Sequence, residues 1–259
     1  MAIAKPTILF EDDAIIVCVK PSGIASQSAK SFQPDMTDIL RQHIVTSTGK
    51  KGEPYIGVIH RLDQPVGGVM VYAKTPAAAA FLSKQTAEHS MCKKYYAVLI
   101  GNMPKSKGTL TDYLLKDGKT NTSSVVSESV KDAKKAVLDY KILETISHDG
   151  IESASVKTDL SLADITLHTG RHHQIRVQFA NAGCPLLDDN KYNKKQTKRM
   201  ATLGLFSYSL KFIHPLTKKE VSFECAYEPK KMIYSFGGEV AWADGKMTVP
   251  AQSVAFLNI

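Results

Sequence analysis

His60-Arg61-Leu62-Asp63-Gln64-Pro65-Val66-Gly67-Gly68 runs directly into Val69-Met70-Val71-Tyr72-Ala73-Lys74, and the fold is read outward from this junction. Pro65 presets one backbone angle and the paired glycines admit conformations closed to other residues, so the segment is a rigid turn. Apolar Val69 to Ala73 leaves the turn as a strand, and Tyr55-Ile56-Gly57-Val58-Ile59 enters it as another. Asp63 lies between Arg61 and the turn. In extended backbone the two side chains, two residues apart, point to the same face. The residues alone leave two readings open: a salt-bridged surface turn, or a catalytic carboxylate projected by a stiff loop.

Upstream, Thr7 to Asp13 and Ala14 to Val19 read as two short strands around an acidic turn, and Lys20-Pro21-Ser22-Gly23 ends the second. Met36, Ile39, Leu40 and Ile44 recur at spacings of three and four, which predicts a helix over Asp35 to Val45 with Asp35 as its cap. Downstream, Thr75 and Pro76 cap and start a helix from Ala77 to about Glu88. Lys93 to Gly101 is a strand with a basic, aromatic start. Pro104 to Lys135 is polar, suits hairpins with mobile turns, and says little about function. Ala136 to Leu143, Ser153 to Lys157 and Leu160 to Thr169 are further strands. Arg171 to Pro185 has a helical pattern, with Ile175, Phe179 and Ala182 as its stripe, Gly183 as its C-terminal cap and Pro185 as a stop. Leu205 to Phe212 and Val221 to Cys225 form a closing strand pair, and a short helix fits the tail from Glu228. Strands outnumber helices and many are joined by short turns, so the fold class is α+β: a mixed, mainly antiparallel sheet with flanking helices.

The 259 residues suffice for one large domain or two small ones, and 43% hydrophobic with 22% charged residues is globular composition. No apolar run approaches the ~18 residues that span a bilayer. The N-terminus lacks the apolar core of a secretory signal, which sets a cytoplasmic expectation. Cys18, Cys92, Cys184 and Cys225 lie far apart and read as reduced thiols, neither a disulfide framework nor a zinc site. A formal charge of +8 favours a polyanionic partner, nucleic acid or an anionic membrane surface.

Several residues are placed to meet such a partner. Lys20, at a strand end, suits a phosphate contact, although most lysines there are simply solvated. On the strand from Lys93, Tyr95 and Tyr96 face opposite sides, and a tyrosine beside lysines can stack on a base while the ammonium groups hold phosphate; plain packing is the alternative for the inward one. Arg171 and His172 open the later helix, whose free N–H groups favour phosphate. His172 and Arg176 are four apart on one face, and no third ligand has zinc spacing. A partly buried Arg176 needs a carboxylate, and Asp63 is available. Lys191, Lys194, Lys195, Lys198 and Arg199 form an acid-free basic loop, either solvated or tracking phosphates. Phosphate-loop, dinucleotide, nucleophile-elbow and His-Glu-x-x-His motifs are all missing.

Taken together, His60-Arg61-Leu62-Asp63 and Ala73-Lys74-Thr75 resemble the signature of RluA-type pseudouridine synthases. Lys20-Pro21-Ser22-Gly23, Lys93-Lys94-Tyr95-Tyr96-Ala97 and Gly170-Arg171-His172-His173-Gln174-Ile175-Arg176 agree in the expected order. Gly183-Cys184-Pro185, Asp189, Tyr192, Phe212 and His214-Pro215 continue the match over roughly residues 8 to 228. The resemblance implies a single catalytic domain over 1–259 with a tail from 229 to 259. It implies isomerisation of uridine in ribosomal or transfer RNA without cofactor or metal. Asp63 would be the essential carboxylate, acting as nucleophile or stabilising a glycal-type intermediate. Tyr95 would lie against the target base, Arg176 would hold Asp63 ionised, and Arg61 would enter the RNA stack as the uridine flips out. Two departures stand out: Val66-Gly67-Gly68 where the family has Thr-Ser-Gly, and Asp188-Asp189 where it has Gly-Asp. The match begins near the first strand, so no N-terminal RNA-binding domain is expected; catalytic-domain residues Lys20, Arg61, Arg171, His172, Lys191 and Lys194 would hold the RNA, with the protein working as a monomer. The rival readings are a non-catalytic RNA-binding module on the same fold and a glycosidic-bond hydrolase.

Overall fold

A computed structural model describes residues 5–27, 33–49, 52–149, 157–194 and 203–225, together with the backbone of two short strands at 241–243 and 246–248. The chain divides into two compact units, one built from 1–93 and 206–226, the other from 94–205 with most of the tail.

In the first unit β1 (Thr7–Glu11) and β2 (Ile15–Lys20) form a hairpin, with Asp12 Oδ1 accepting from the N–H groups of Ala14 at 2.8 Å and Ile15 at 2.9 Å. β2 pairs antiparallel with β4 (Gly67–Ala73), and β3 (Gly57–Val58) joins β4 antiparallel at Ala73 and Tyr72. β4 also runs parallel to β10 (Leu205–Ile213), which pairs antiparallel with β11 (Glu220–Glu224). Every residue of β4 is buried, as expected of a central strand written as an unbroken apolar run. Val69, Val71 and Ala73 pack with Ile15, Val17, Leu210 and Phe212, and with Ala78 and Leu82 of helix α2 (Pro76–Ala87).

Both helices of this unit follow their local signals. Asp35 caps α1 (Met36–Thr48) and forms a capping box with Asp38, while Met36, Leu40 and Ile44 face inward. Thr75 caps α2 through the N–H of Ala78, with Pro76 in the first turn. Glu11 receives Lys74 at 2.7 Å and His43 at 2.8 Å, tying the ends of β1 and β4 to α1.

The second unit is a sheet in the order β5-β9-β8-β6-β7: β5 (Cys92–Ile100), β6 (Lys107–Asp117), β7 (Thr122–Val126), β8 (Lys134–Asp149) and β9 (Lys157–Leu167). The β6–β7, β6–β8 and β8–β9 pairs are antiparallel. Helix α3 (Gln174–Asn181) lies on this sheet, Val177 against Leu114 and Ala136, Phe179 edge-on to Tyr140. The α+β class with mainly antiparallel pairing is as expected.

One local expectation changes. α3 begins at Gln174, not near Arg171, because His173 takes a left-handed backbone (φ 55°) that a helix cannot include. The polar 104–135 stretch contains the β6–β7 hairpin, as expected. The expected strand at Ser153, the tail helix after Glu228, and Lys195, Lys198 and Arg199 lie outside the described residues; in the tail, Ala241–Ala243 and Lys246–Thr248 pair as a small hairpin. Among the described residues no helix is long and apolar enough to cross a membrane.

Candidate active site

Asp63 opens a tight turn closed by the Val66 N–H donating to its carbonyl at 2.9 Å. The loop after β2 grips the backbone on both sides of it. On one side Ser26 takes both polar groups of Leu62, accepting from its N–H at 3.1 Å and donating to its carbonyl at 2.8 Å. On the other, the Gln64 carbonyl accepts from the Gly23 N–H at 2.9 Å, and Ser22 Oγ donates to the Pro65 carbonyl at 2.6 Å. Lys20 completes the clamp. Its side chain is fully enclosed, and Nζ donates to the carbonyls of Ile24 at 2.6 Å, Pro21 at 2.9 Å and Gln64 at 3.2 Å. Burial pushes its pKa down to about 7, with the Asp63 carboxylate pulling the other way. Lys20 is therefore not a phosphate contact as expected from its strand-end position: its three N–H donors are aimed at protein carbonyls, and no surface of it meets solvent.

Gly68 shows why the turn needs its glycines. Its φ is +132°, and a Cβ there would fall 2.2 Å from the Ser207 carbonyl oxygen on β10. Gly68 is the position that Val66-Gly67-Gly68 keeps in common with Thr-Ser-Gly, and it lets β4 run close against β10. His60, one residue before Arg61, accepts the Val71 N–H at Nε2 (3.3 Å). Burial, then the nearby Lys93 charge, drives its pKa to about 3, so the imidazole is neutral with its proton on Nδ1. From this framework Asp63 emerges partly exposed and Arg61 exposed.

In the second unit the arrangement centres on Arg176, whose side chain is 4% exposed. Asp189, completely enclosed, receives it as a fork: Nε to Oδ2 and Nη2 to Oδ1, both at 2.7 Å. Oδ1 also accepts the N–H groups of Lys191 at 3.0 Å and Tyr192 at 3.2 Å. Asp188, in the position of the family glycine, supplies the left-handed conformation itself (φ 57°), which aspartate tolerates better than most residues.

Tyr192 lies with its ring 5.2 Å from the Arg176 guanidinium carbon. Its hydroxyl accepts the Ser123 N–H at 2.8 Å and lies 2.7 Å from His173 Nδ1. His173 stacks on His172, ring centroids 3.7 Å apart. His172 in turn places Nδ1 on Ser123 Oγ at 2.9 Å and Nε2 on Asn121 Oδ1 at 3.1 Å, so it caps the β6–β7 hairpin instead of sharing a helix face with Arg176. Lys191 Nζ donates to the Asn121 carbonyl at 2.7 Å, and Arg171 Nε to the Lys135 carbonyl at 2.9 Å. Lys194 is exposed. On β5, Tyr95 is 6% exposed and Tyr96 less enclosed, the alternation expected of a strand.

The expected residues thus fall into two groups: Asp63, Arg61 and Lys20 in the first unit, and Tyr95, Arg171, His172, Arg176, Lys191 and Lys194 in the second. Asp189 and Ser26 are additions. Asp189 stood among the matching residues of the motif, but nothing in its spacing marked it as the partner of Arg176. Ser26 carried no signal at all.

Comparison with known proteins gives these groups a common origin. The RNA pseudouridylate synthase family matches residues 14–181, a span that runs through both units. Ribosomal large subunit pseudouridine synthase D of Zymomonas mobilis is 30% identical over 227 residues, covering 84% of this chain and 68% of that protein. tRNA pseudouridine synthase C of Haemophilus influenzae is 27% identical over 241 residues, covering 90% and 98%. The structure of human RNA pseudouridylate synthase domain containing 1 shares the fold, with a TM-score of 0.68 at 20% identity over 88% of this chain and 86% of that one. With its Asp63 turn and its Arg176 fork inside or beside that span, this chain belongs to the RNA pseudouridylate synthase family and is an RNA pseudouridine synthase.

Proposed function

We propose that this enzyme isomerises particular uridines in ribosomal or transfer RNA, with Asp63 as the catalytic carboxylate. The observation that carries the reading is the double clamp on the Asp63 turn: Ser26 on Leu62, and Gly23 with Lys20 on Gln64. A surface salt bridge needs no such fixed backbone, whereas a carboxylate that meets a sugar or base at one distance does. The two RNA classes come from the relatives, one named for the large ribosomal subunit and one for tRNA.

In this mechanism the Asp63 carboxylate acts at the ribose or the base as the N-glycosidic bond opens. The uracil turns over, C5 bonds to C1′, and the proton displaced from C5 is matched by one gained at N1. The product is an isomer, with no atom added or lost, and no cofactor or metal has a role. Tyr95 lies against the base and serves the proton transfer. Arg176 holds Asp63 ionised, its guanidinium already oriented by Asp189. Exposed Arg61 replaces the flipped uridine in the stack. Arg171, His172, Lys191 and Lys194 meet the RNA backbone, Arg171 and Lys191 through N–H groups beyond those given to Lys135 and Asn121, and His172 through its ring, since both its nitrogens are engaged within the chain. Residues 1–259 act as one catalytic domain, as a monomer in the cytoplasm.

Asp63→Asn tests this directly. Pseudouridine formation, followed by carbodiimide labelling of the RNA, should fall by about 10⁴-fold or more while RNA binding persists. An Asn variant with full activity would remove Asp63 from the chemistry. Release of free uracil by the unaltered enzyme would favour a hydrolase.

A further inference from the structure

The Asp189 fork holds the guanidinium of Arg176 along one edge. Tyr192 adds a second kind of contact, from an aromatic ring. The guanidinium carbon lies over its ring, 5.2 Å from the centroid, while the Tyr192 N–H donates to the same Asp189 carboxylate. The ring is held at its far end too, between the Ser123 N–H of β7 and His173 at the start of α3. From these contacts we infer that Tyr192 is a positioning residue for Arg176, anchored by the β6–β7 hairpin. The hairpin thereby acts on catalysis without touching the reacting atoms. Three attachments hold its end against this cluster: Ser123 to Tyr192, His172 to Asn121 and Ser123, and Lys191 to the Asn121 carbonyl. Asn121 adopts φ 50°, so the tip presents its carbonyl and its side chain together.

The inference rests on the role proposed for Arg176, and two independent readouts separate them. The first is the Arg176 Nε–Hε resonance in ¹⁵N spectra of the free protein, assigned by its loss in Arg176→Lys. Tyr192→Leu should shift and broaden it, and Tyr192→Phe, which keeps the ring and loses the hydroxyl anchor, should shift it less. The second is turnover: Tyr192→Leu should lower kcat about ten- to thirtyfold with KM for RNA within about twofold. In an Arg176→Lys background the same change should add little, because it acts through the missing guanidinium. Should Tyr192→Leu not fold, the smaller Tyr192→Phe effects, about threefold in kcat, decide. An unchanged Arg176 resonance, or Tyr192 losses that multiply fully with those of Arg176→Lys, would overturn the inference. A shifted resonance with Arg176→Lys fully active would instead uphold the positioning and sink the role of Arg176.

Discussion

The two units hold their key residues by opposite means. Around Asp63 the protein grips backbone: Ser26 brackets Leu62, and Gly23 and Lys20 meet on the Gln64 carbonyl, while the aspartate side chain stays partly exposed. Around Arg176 it grips the side chain itself, with a forked carboxylate on one edge and an aromatic ring beneath the guanidinium carbon. A carboxylate is short, so aiming its main chain aims its charge. Arginine has a long, rotamer-rich stem, and only contacts at the guanidinium can fix it. The means of support follows the length of the lever.

This contrast can be broken at several points. Asp189→Asn removes the charge from the forked partner of a buried guanidinium and should cost about 3–5 kcal/mol in chemical denaturation, with activity lost alongside; a cost below about 1 kcal/mol would mean that the fork is not what holds Arg176. Lys20→Met should behave differently. Removing a desolvated ammonium offsets part of the loss of three carbonyl partners, so stability should change by less than about 2 kcal/mol. The Asp63 turn loses its floor, however, and kcat should fall about 10²-fold with RNA affinity kept. Full activity in Lys20→Met would show that the backbone clamp is redundant. Ser26→Ala strands the buried N–H and carbonyl of Leu62 and should cost about 1–2 kcal/mol.

A further effect is one of pH. His60 is neutral in the folded protein down to about pH 3, whereas in the unfolded chain it titrates near its usual 6.5. Between those values the unfolded chain binds a proton that the folded one refuses. Stability should therefore be full above pH 6.5 and decline as pH falls toward 3, by up to about 1.4 kcal/mol per unit. Glu11 adds to the acid loss: burial raises its pKa, but the bonds from Lys74 and His43 outweigh that and leave it lowered. His60→Gln should flatten the upper part of the curve and leave the Glu11 contribution in place. Identical slopes would show that His60 is not buried neutral.

Where the determinants are local, the sequence was a sound guide. Asp35 before Met36, Thr75 before Pro76 and the unbroken apolar run of β4 each announce an element through neighbours a few residues away. The Asp63 turn was legible for the same reason. Lys20 was misread because its surroundings are not local: Gln64, which supplies one of its three carbonyls, lies 44 residues on. The start of α3 was misplaced because the helical pattern does not show that the His172 ring is drawn onto β7 and that His173 reverses its φ. Asp189 belongs to the motif, but only folding brings its carboxylate to Arg176, 13 residues before it.

Lys20 also bears on how the enzyme should respond to salt. An ammonium ringed by three carbonyl oxygens resembles a coordinated alkali cation, but it is tethered to the chain and cannot exchange with the medium. Solvent ions screen buried charges poorly. Rising ionic strength should therefore loosen the grip on RNA phosphates while the Asp63 turn keeps its shape, raising KM and sparing kcat.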